Sequence, residues 1–118
     1  MKNVLITGGS RGIGKAMVEH FSARGYRVAF TYRSSVDEAN ALAEKTGALA
    51  IRADSSSEDD VRSAVNYVSD TIGHIDCLIN NAGISSFSLF TDISLADWRE
   101  MIDVNLTGAF LYSKFVIP

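Results

Sequence analysis

The sequence predicts an α/β fold, a parallel sheet with helices on both faces, and three observations carry that expectation. Short apolar runs alternate with longer amphipathic segments along all 118 residues, the pattern of repeated strand–helix–strand units. A glycine-rich turn, Thr7 to Gly14, separates the first apolar run from the first helical pattern. The chain is 47% hydrophobic with a single proline, enough for one packed core, so residues 1–118 are expected to form a single domain.

Val4-Leu5-Ile6 is the first strand, short and β-branched as a buried parallel strand should be. A helix starts at Gly12, with Ile13, Ala16, Met17 and Phe21 at helical spacing and Gly25 placed to end it. Tyr26 to Tyr32 is the second strand. Ser35 is expected to cap a helix whose apolar face is Val36, Ala39, Leu42 and Ala43, stopped by Gly47. Ala48 to Ala53 is the third strand. Ser57 then caps a helix opening on Glu58, Asp59 and Asp60, whose carboxylates favour the helix dipole; Val61, Ala64, Val65, Val68 and Ile72 make its stripe. Gly73 ends it, and Ile75 to Asn80 is the fourth strand. After a loop from Gly83 to Ile93, Ser94 to Asp97 caps a long helix carrying Trp98, Met101, Ile102, Leu106, Ala109, Phe110 and Phe115. Right-handed crossovers give the strand order 3-2-1-4, half of a doubly wound sheet, with a crevice between the carboxyl ends of strands one and four.

Eleven basic residues against 14 acidic ones give a formal charge of −3 with no basic run, which argues against a nucleic-acid surface. The single cysteine, Cys77, cannot form an internal disulfide, and no apolar run approaches a membrane span or a signal-peptide core. A cytoplasmic setting without membrane contact is expected. His20 and His74 sit apart from any ligand-like cluster, so no metal is expected.

Thr7-Gly8-Gly9-Ser10-Arg11-Gly12-Ile13-Gly14 reads as a phosphate cradle. Its glycines allow a sharp turn and close ligand approach, and the helix after it offers unpaired N–H groups and the positive end of its dipole. Its spacing is T-G-x-x-x-G-x-G; the more common G-x-G-x-x-G is not met, because Met17 stands at the third position.

Four pieces in order, the Thr7 to Gly14 turn, Asp54, Asn80-Asn81-Ala82-Gly83 and Asp103-Val104-Asn105, resemble the short-chain dehydrogenase/reductase family. The resemblance covers all 118 residues, is strongest toward bacterial 3-oxoacyl-carrier-protein reductases, and implies a Rossmann-type sheet. It implies that Thr7, Gly8, Ser10, Gly12, Ile13 and Gly14 face the cofactor, that Asp54 holds the adenine edge, and that Asn81, Ala82, Gly83 and Val104 line the dinucleotide path. It also implies a catalytic role for Asn105, holding a water that relays protons. Asn80 and Asn81 equally suit a structural role tying strand four to its neighbours.

Strand two ends Tyr32-Arg33-Ser34-Ser35, without the carboxylate that an unphosphorylated ribose would need. Arg11 and Arg33 with Ser34 and Ser35 form a plausible clamp for a 2′-phosphate, so NADP(H) is the expected cofactor. The solvated-surface reading of both arginines stays open. Phe87, Leu89 and Phe90 are candidates to floor a pocket for an acyl substrate.

The resembled family reduces carbonyl groups by hydride transfer, with a serine and a Tyr-x-x-x-Lys supplying polarisation and the proton. Tyr26, Tyr32, Tyr67 and Tyr112 are followed four positions on by Phe30, Val36, Thr71 and Val116, so none completes that motif. Tyr112 and Lys114 are no substitute, since residues two apart on a helix do not face each other. The expectation is a cofactor-binding N-terminal part, truncated before the later strands, catalytically incompetent alone, and acting in its parent enzyme on a free or carrier-bound carbonyl substrate. Strand four would then be an apolar sheet edge that invites self-association. The alternative is a non-enzymatic nucleotide-binding or assembly module completed by a partner chain, with S-adenosylmethionine a weaker ligand option.

Overall fold

The structure is a computed structural model that describes residues 2–10, 12–83 and 89–117, with Phe90 through its backbone alone. Strands β1 (Asn3–Ile6), β2 (Arg27–Tyr32), β3 (Leu49–Arg52) and β4 (Cys77–Ile79) form one sheet in the order β3-β2-β1-β4. All three pairings are parallel, with Leu5 beside Ala29 on one side and Leu78 on the other. Order and direction are those expected from the alternating pattern.

Side chains alternate across a strand, so β1 feeds both faces of the sheet. Val4 and Ile6 join Val28 and Phe30 against Val18 of α1 (Gly12–Ala23) and Ala39 and Leu42 of α2 (Val36–Thr46). Leu5 and Ala29 face the other way, onto Val61, Val65 and Val68 of α3 (Glu58–Ile72). Each such fully buried aliphatic side chain contributes roughly 1.5–3 kcal/mol.

Helix α3 forms for the reasons its sequence states. The Ser57 hydroxyl accepts a hydrogen bond from the Asp60 N–H at 3.2 Å, and Val61, Ala64, Val65 and Val68 are buried. Helix α2 ends as expected at Gly47, whose φ of 77° lets its N–H reach the Ala43 carbonyl at 2.8 Å. Its start differs from expectation: the Ser35 side chain makes no capping bond, because its backbone (φ −83°, ψ 62°) lies outside the extended region a cap needs. Ile13, Ala16 and Val36, expected on apolar faces, are exposed; Ile13 and Val36 lie in the first turns of their helices, and α1 packs inward through Gly14 and Val18 and α2 through Ala39 and Leu42.

The long C-terminal helix is continuous but not uniform. A short 3₁₀ turn, Phe90–Asp92, leads to α4 (Leu95–Ile102), a π-helical turn (Asp103–Thr107) and α5 (Gly108–Val116). Ser94 caps it, accepting from Asp97 N–H at 3.1 Å. The expected apolar stripe is only partly inward: Trp98, Ile102, Leu106 and Phe110 are exposed, Met101, Ala109 and Phe115 are half-buried with Phe115 packed on the core, and Val104, Gly108, Leu111 and Tyr112 are buried. This helix is apolar on two sides, so its spacing alone cannot say which one meets the sheet. Strand β4 pairs with β1 alone among the described residues and so forms an edge, as expected, with Cys77 exposed on it. It is shorter than the expected Ile75 to Asn80, and β2 and β3 are likewise trimmed at their ends.

Candidate functional site

The chain leaves β1 at Thr7, whose side chain organises the glycine turn and the segment after β4. Thr7 is buried, and its hydroxyl oxygen accepts hydrogen bonds from the Asn81 and Ala82 N–H groups, both at 3.0 Å. Its own N–H donates to Ile79 O at 3.0 Å. On the other side Gly8 N–H donates to the Thr31 hydroxyl at 3.1 Å, and Gly9 N–H to Thr31 O at 2.9 Å. The glycine turn is thereby fastened to both neighbouring strands.

Glycine is required there for two different reasons. A Cβ on Gly14 would lie 2.1 Å from the Gly8 carbonyl oxygen and 2.6 Å from Asn81 Nδ2, which itself donates to that oxygen at 2.9 Å. Gly12, at φ 62°, faces open space and is needed for its left-handed backbone where α1 begins.

Above the carboxyl ends of β1 and β2 opens a cleft of about 420 Å³. Of the residues singled out from sequence, Gly8, Ser10, Arg33, Ser34, Ser35, Asn81, Ala82, Gly83 and Val104 line it. Thr7 lies beneath, bonded to the residues that do. Gly12, Ile13, Gly14 and Asp54 lie outside the lining, and Arg11 falls outside the described residues. Thr31, Tyr32, Ala53 and Ser55 also line the cleft. Of these, Thr31 carried a usable signal, a hydroxyl following the apolar Val28-Ala29-Phe30 run near the end of β2.

Arg33 brings charge to this cleft, and it is paired. Its Nη2 lies 3.1 Å from Glu100 Oε1 and 3.8 Å from Asp54 Oδ2. No carboxylate stands at the end of β2 in sequence, Asp37 and Glu38 lying inside α2; tertiary structure supplies two from other elements, and Glu100 carried no sequence signal. Asp54 is held in turn by Ser56, whose N–H and hydroxyl donate to Oδ1 at 2.9 and 2.7 Å. Partial burial pulls the Asp54 pKa upward, but the Ser56 bonds and the Arg33 and Arg52 charges outweigh it, so the carboxyl sits below its ordinary value.

Asn105 stands in the π turn, beside a second cavity of about 20 Å³ bounded also by Thr7, Ser55, Asn80 and Tyr112. Its Oδ1 approaches Gly83 closely enough that a Cβ there would meet it at 3.1 Å. Gly108 packs on Ser55, where a Cβ would be 2.8 Å from the backbone oxygen, so α5 abuts the segment after β3. A π turn inserts one extra residue into the helical ladder and commonly occurs at functional sites.

Tyr112 is buried, and burial pushes its phenol above the ordinary tyrosine value, partly opposed by the nearby Thr31 and Ser55 hydroxyls. Lys114 points elsewhere, over the Phe110 and Phe115 rings at 5.9 and 5.5 Å, so the two do not form a pair. Leu89, considered for a substrate floor, is exposed; Phe87 and the Phe90 side chain lie outside the described residues. His20 and His74 are exposed.

The sequence profile of the family described as short chain dehydrogenase matches residues 2–118, and the chain belongs to that family. Among its relatives, the Staphylococcus epidermidis 3-oxoacyl-[acyl-carrier-protein] reductase FabG is 36% identical over 122 residues, covering 99% of this chain and 50% of the relative. An acetoacetyl-CoA reductase of Paracoccus denitrificans is 38% identical over 109 residues, covering 92% of this chain and 45% of that one. A solved short-chain dehydrogenase/reductase from Serratia marcescens superposes with a TM-score of 0.93 at 36% identity, over 98% of this chain and 49% of its own. A blue fluorescent protein from a metagenomic library, solved in complex with NADPH, superposes at 0.92 and 35% identity, over 98% and 50%. The chain spans about half the length of these relatives.

Proposed function

We propose that these residues form the cofactor-binding part of an NADP(H)-dependent carbonyl reductase resembling the 3-oxoacyl-carrier-protein reductases. The observation that carries this reading is the cleft itself, where the glycine turn, Arg33, Ser34 and Ser35 converge above the β1 and β2 ends. This donor set suits the group: one guanidinium and two hydroxyls for a 2′-phosphate, and backbone from Gly8 and Asn81 to Gly83 for the remainder of a dinucleotide. In the reading, Arg33, Ser34 and Arg11 hold the phosphate, Asp54 the adenine edge, and Asn105 a proton-relay water. The bound nicotinamide would supply a hydride to a carbonyl carbon. The neighbour solved with NADPH and the thioester reductases among the relatives support it.

These 118 residues hold no Tyr-x-x-x-Lys, so we propose that they bind cofactor and do not supply the proton. Competitive titration with NADPH, NADH and S-adenosylmethionine tests the ligand, with NADPH expected to bind best. A preference for either competitor overturns the reading, and turnover of an acetoacetyl thioester by this segment alone overturns the inactive part. The open β4 edge and the exposed Trp98, Ile102, Leu106 and Phe110 favour a second reading, an assembly module completed by a second copy or a partner chain. A stoichiometric complex that forms without affinity for any nucleotide would select it.

A further inference from the structure

Arg33 is the one charged side chain lining the cleft among the described residues, and two carboxylates already face it. Among the described residues, the guanidinium that the cofactor reading gives to a 2′-phosphate is thus already shared by two carboxylates. The two carboxylates are not equivalent. Asp54 is pinned through Oδ1 by both Ser56 bonds, and its side chain is 24% exposed. Glu100 is 48% exposed, and Arg33, at 3.1 Å, is the polar partner its carboxylate has among the described residues. Its α4 helix position is about one turn before Val104, which lines the cleft, so the pair reaches from the end of β2 across to the helix on the far side. An exposed ion pair of this kind is weak, whereas a phosphate dianion offers a guanidinium stronger, bidentate hydrogen bonds.

We propose that Glu100 is a specificity-determining residue whose carboxylate competes with the cofactor 2′-phosphate for the Arg33 guanidinium. The inference rests on the 2′-phosphate reading of the cleft. A ribose 2′-hydroxyl cannot displace a carboxylate from arginine, so an unphosphorylated ligand leaves the pair intact. Glu100 thus weakens binding of the phosphorylated form selectively, and its removal widens the preference for that form.

The test is calorimetric titration of the intact protein with adenosine 2′,5′-bisphosphate and with ADP at fixed, low salt, for wild type, Glu100→Gln, Glu100→Lys, Arg33→Ala and a remote charge control, Glu58→Gln. Glu100→Gln is expected to tighten the bisphosphate by about two- to fivefold and leave ADP unchanged. Glu100→Lys tightens it further, Glu58→Gln changes neither ligand, and added salt shrinks the effects. If Arg33→Ala abolishes the bisphosphate preference while Glu100→Gln leaves it unchanged, weakens it, or tightens both ligands equally, the Glu100 role is overturned and the cofactor reading stands. If wild type shows no preference and Arg33→Ala changes nothing, the cofactor reading itself fails.

Discussion

Replacing Thr7 with valine keeps the shape of a buried side chain and removes one oxygen atom. That oxygen accepts two backbone hydrogen bonds, from Asn81 and Ala82, each at 3.0 Å. Leaving a buried donor unpaired costs about 1–3 kcal/mol, and both N–H groups belong to half-buried residues that water can partly reach. Thr7→Val is therefore expected to destabilise the protein by about 2–4 kcal/mol, a large share of the roughly 5–15 kcal/mol that holds a domain together. Thr7→Ser is the informative partner: it keeps the oxygen and deletes a buried methyl group, at about 1 kcal/mol. Hydrogen bonding and packing thus predict opposite orders for the two variants. Urea denaturation monitored by circular dichroism reads the order from the midpoints, provided the slopes agree. A Thr7→Val midpoint at or above that of Thr7→Ser would refute the claim that this hydroxyl fastens the Asn81–Ala82 turn to β1.

Gly14→Ala forces a Cβ to 2.1 Å from a backbone oxygen and is expected to cost about 3 kcal/mol or more, whereas Gly12→Ala meets only backbone strain of about 1–2 kcal/mol; thermal melts showing the reverse order would contradict the packing account. Because burial raises the Tyr112 pKa in the folded state, the unfolded chain ionises first: the stability from this group is complete below the ordinary value of 10.0 and is lost as pH rises through the folded value. Tyr112→Phe should flatten that alkaline loss, and superimposable pH profiles would rule the effect out. The exposed side of α4 and α5 should make the 118-residue chain self-associate at micromolar concentration, with the double variant Leu106→Lys and Phe110→Lys shifting it toward monomer; sedimentation of the unaltered chain as a clean monomer counts against this.

Strand order, helix placement and the crevice could be read from particular residues. The β1 run Val4-Leu5-Ile6 has apolar side chains for both faces, which tells a central strand from an edge one, and Ser57 with the Val61, Ala64, Val65, Val68 stripe specified α3 to within a residue. The turns at Thr7 to Gly14 and Asn80 to Gly83 marked the cleft because glycine and a strand-to-helix junction are local facts. The inward side of the α4–α5 helix could not be read in the same way. Trp98, Ile102, Leu106 and Phe110 are as apolar as the side that packs, where Leu111 and Tyr112 join the core and Gly108 abuts Ser55.

The electrostatics of the cleft were decided by tertiary structure alone. Arg33 was legible as a cation at the end of β2, but its partners come from the segment after β3 and from α4, brought together by two crossovers and a helix whose rotation the sequence leaves ambiguous. Periodicity, caps and turns act within a few residues and so are written in the order of the chain. Which charges meet across a crevice depends on the summed placement of every element between them, and that exists only once the sheet has assembled.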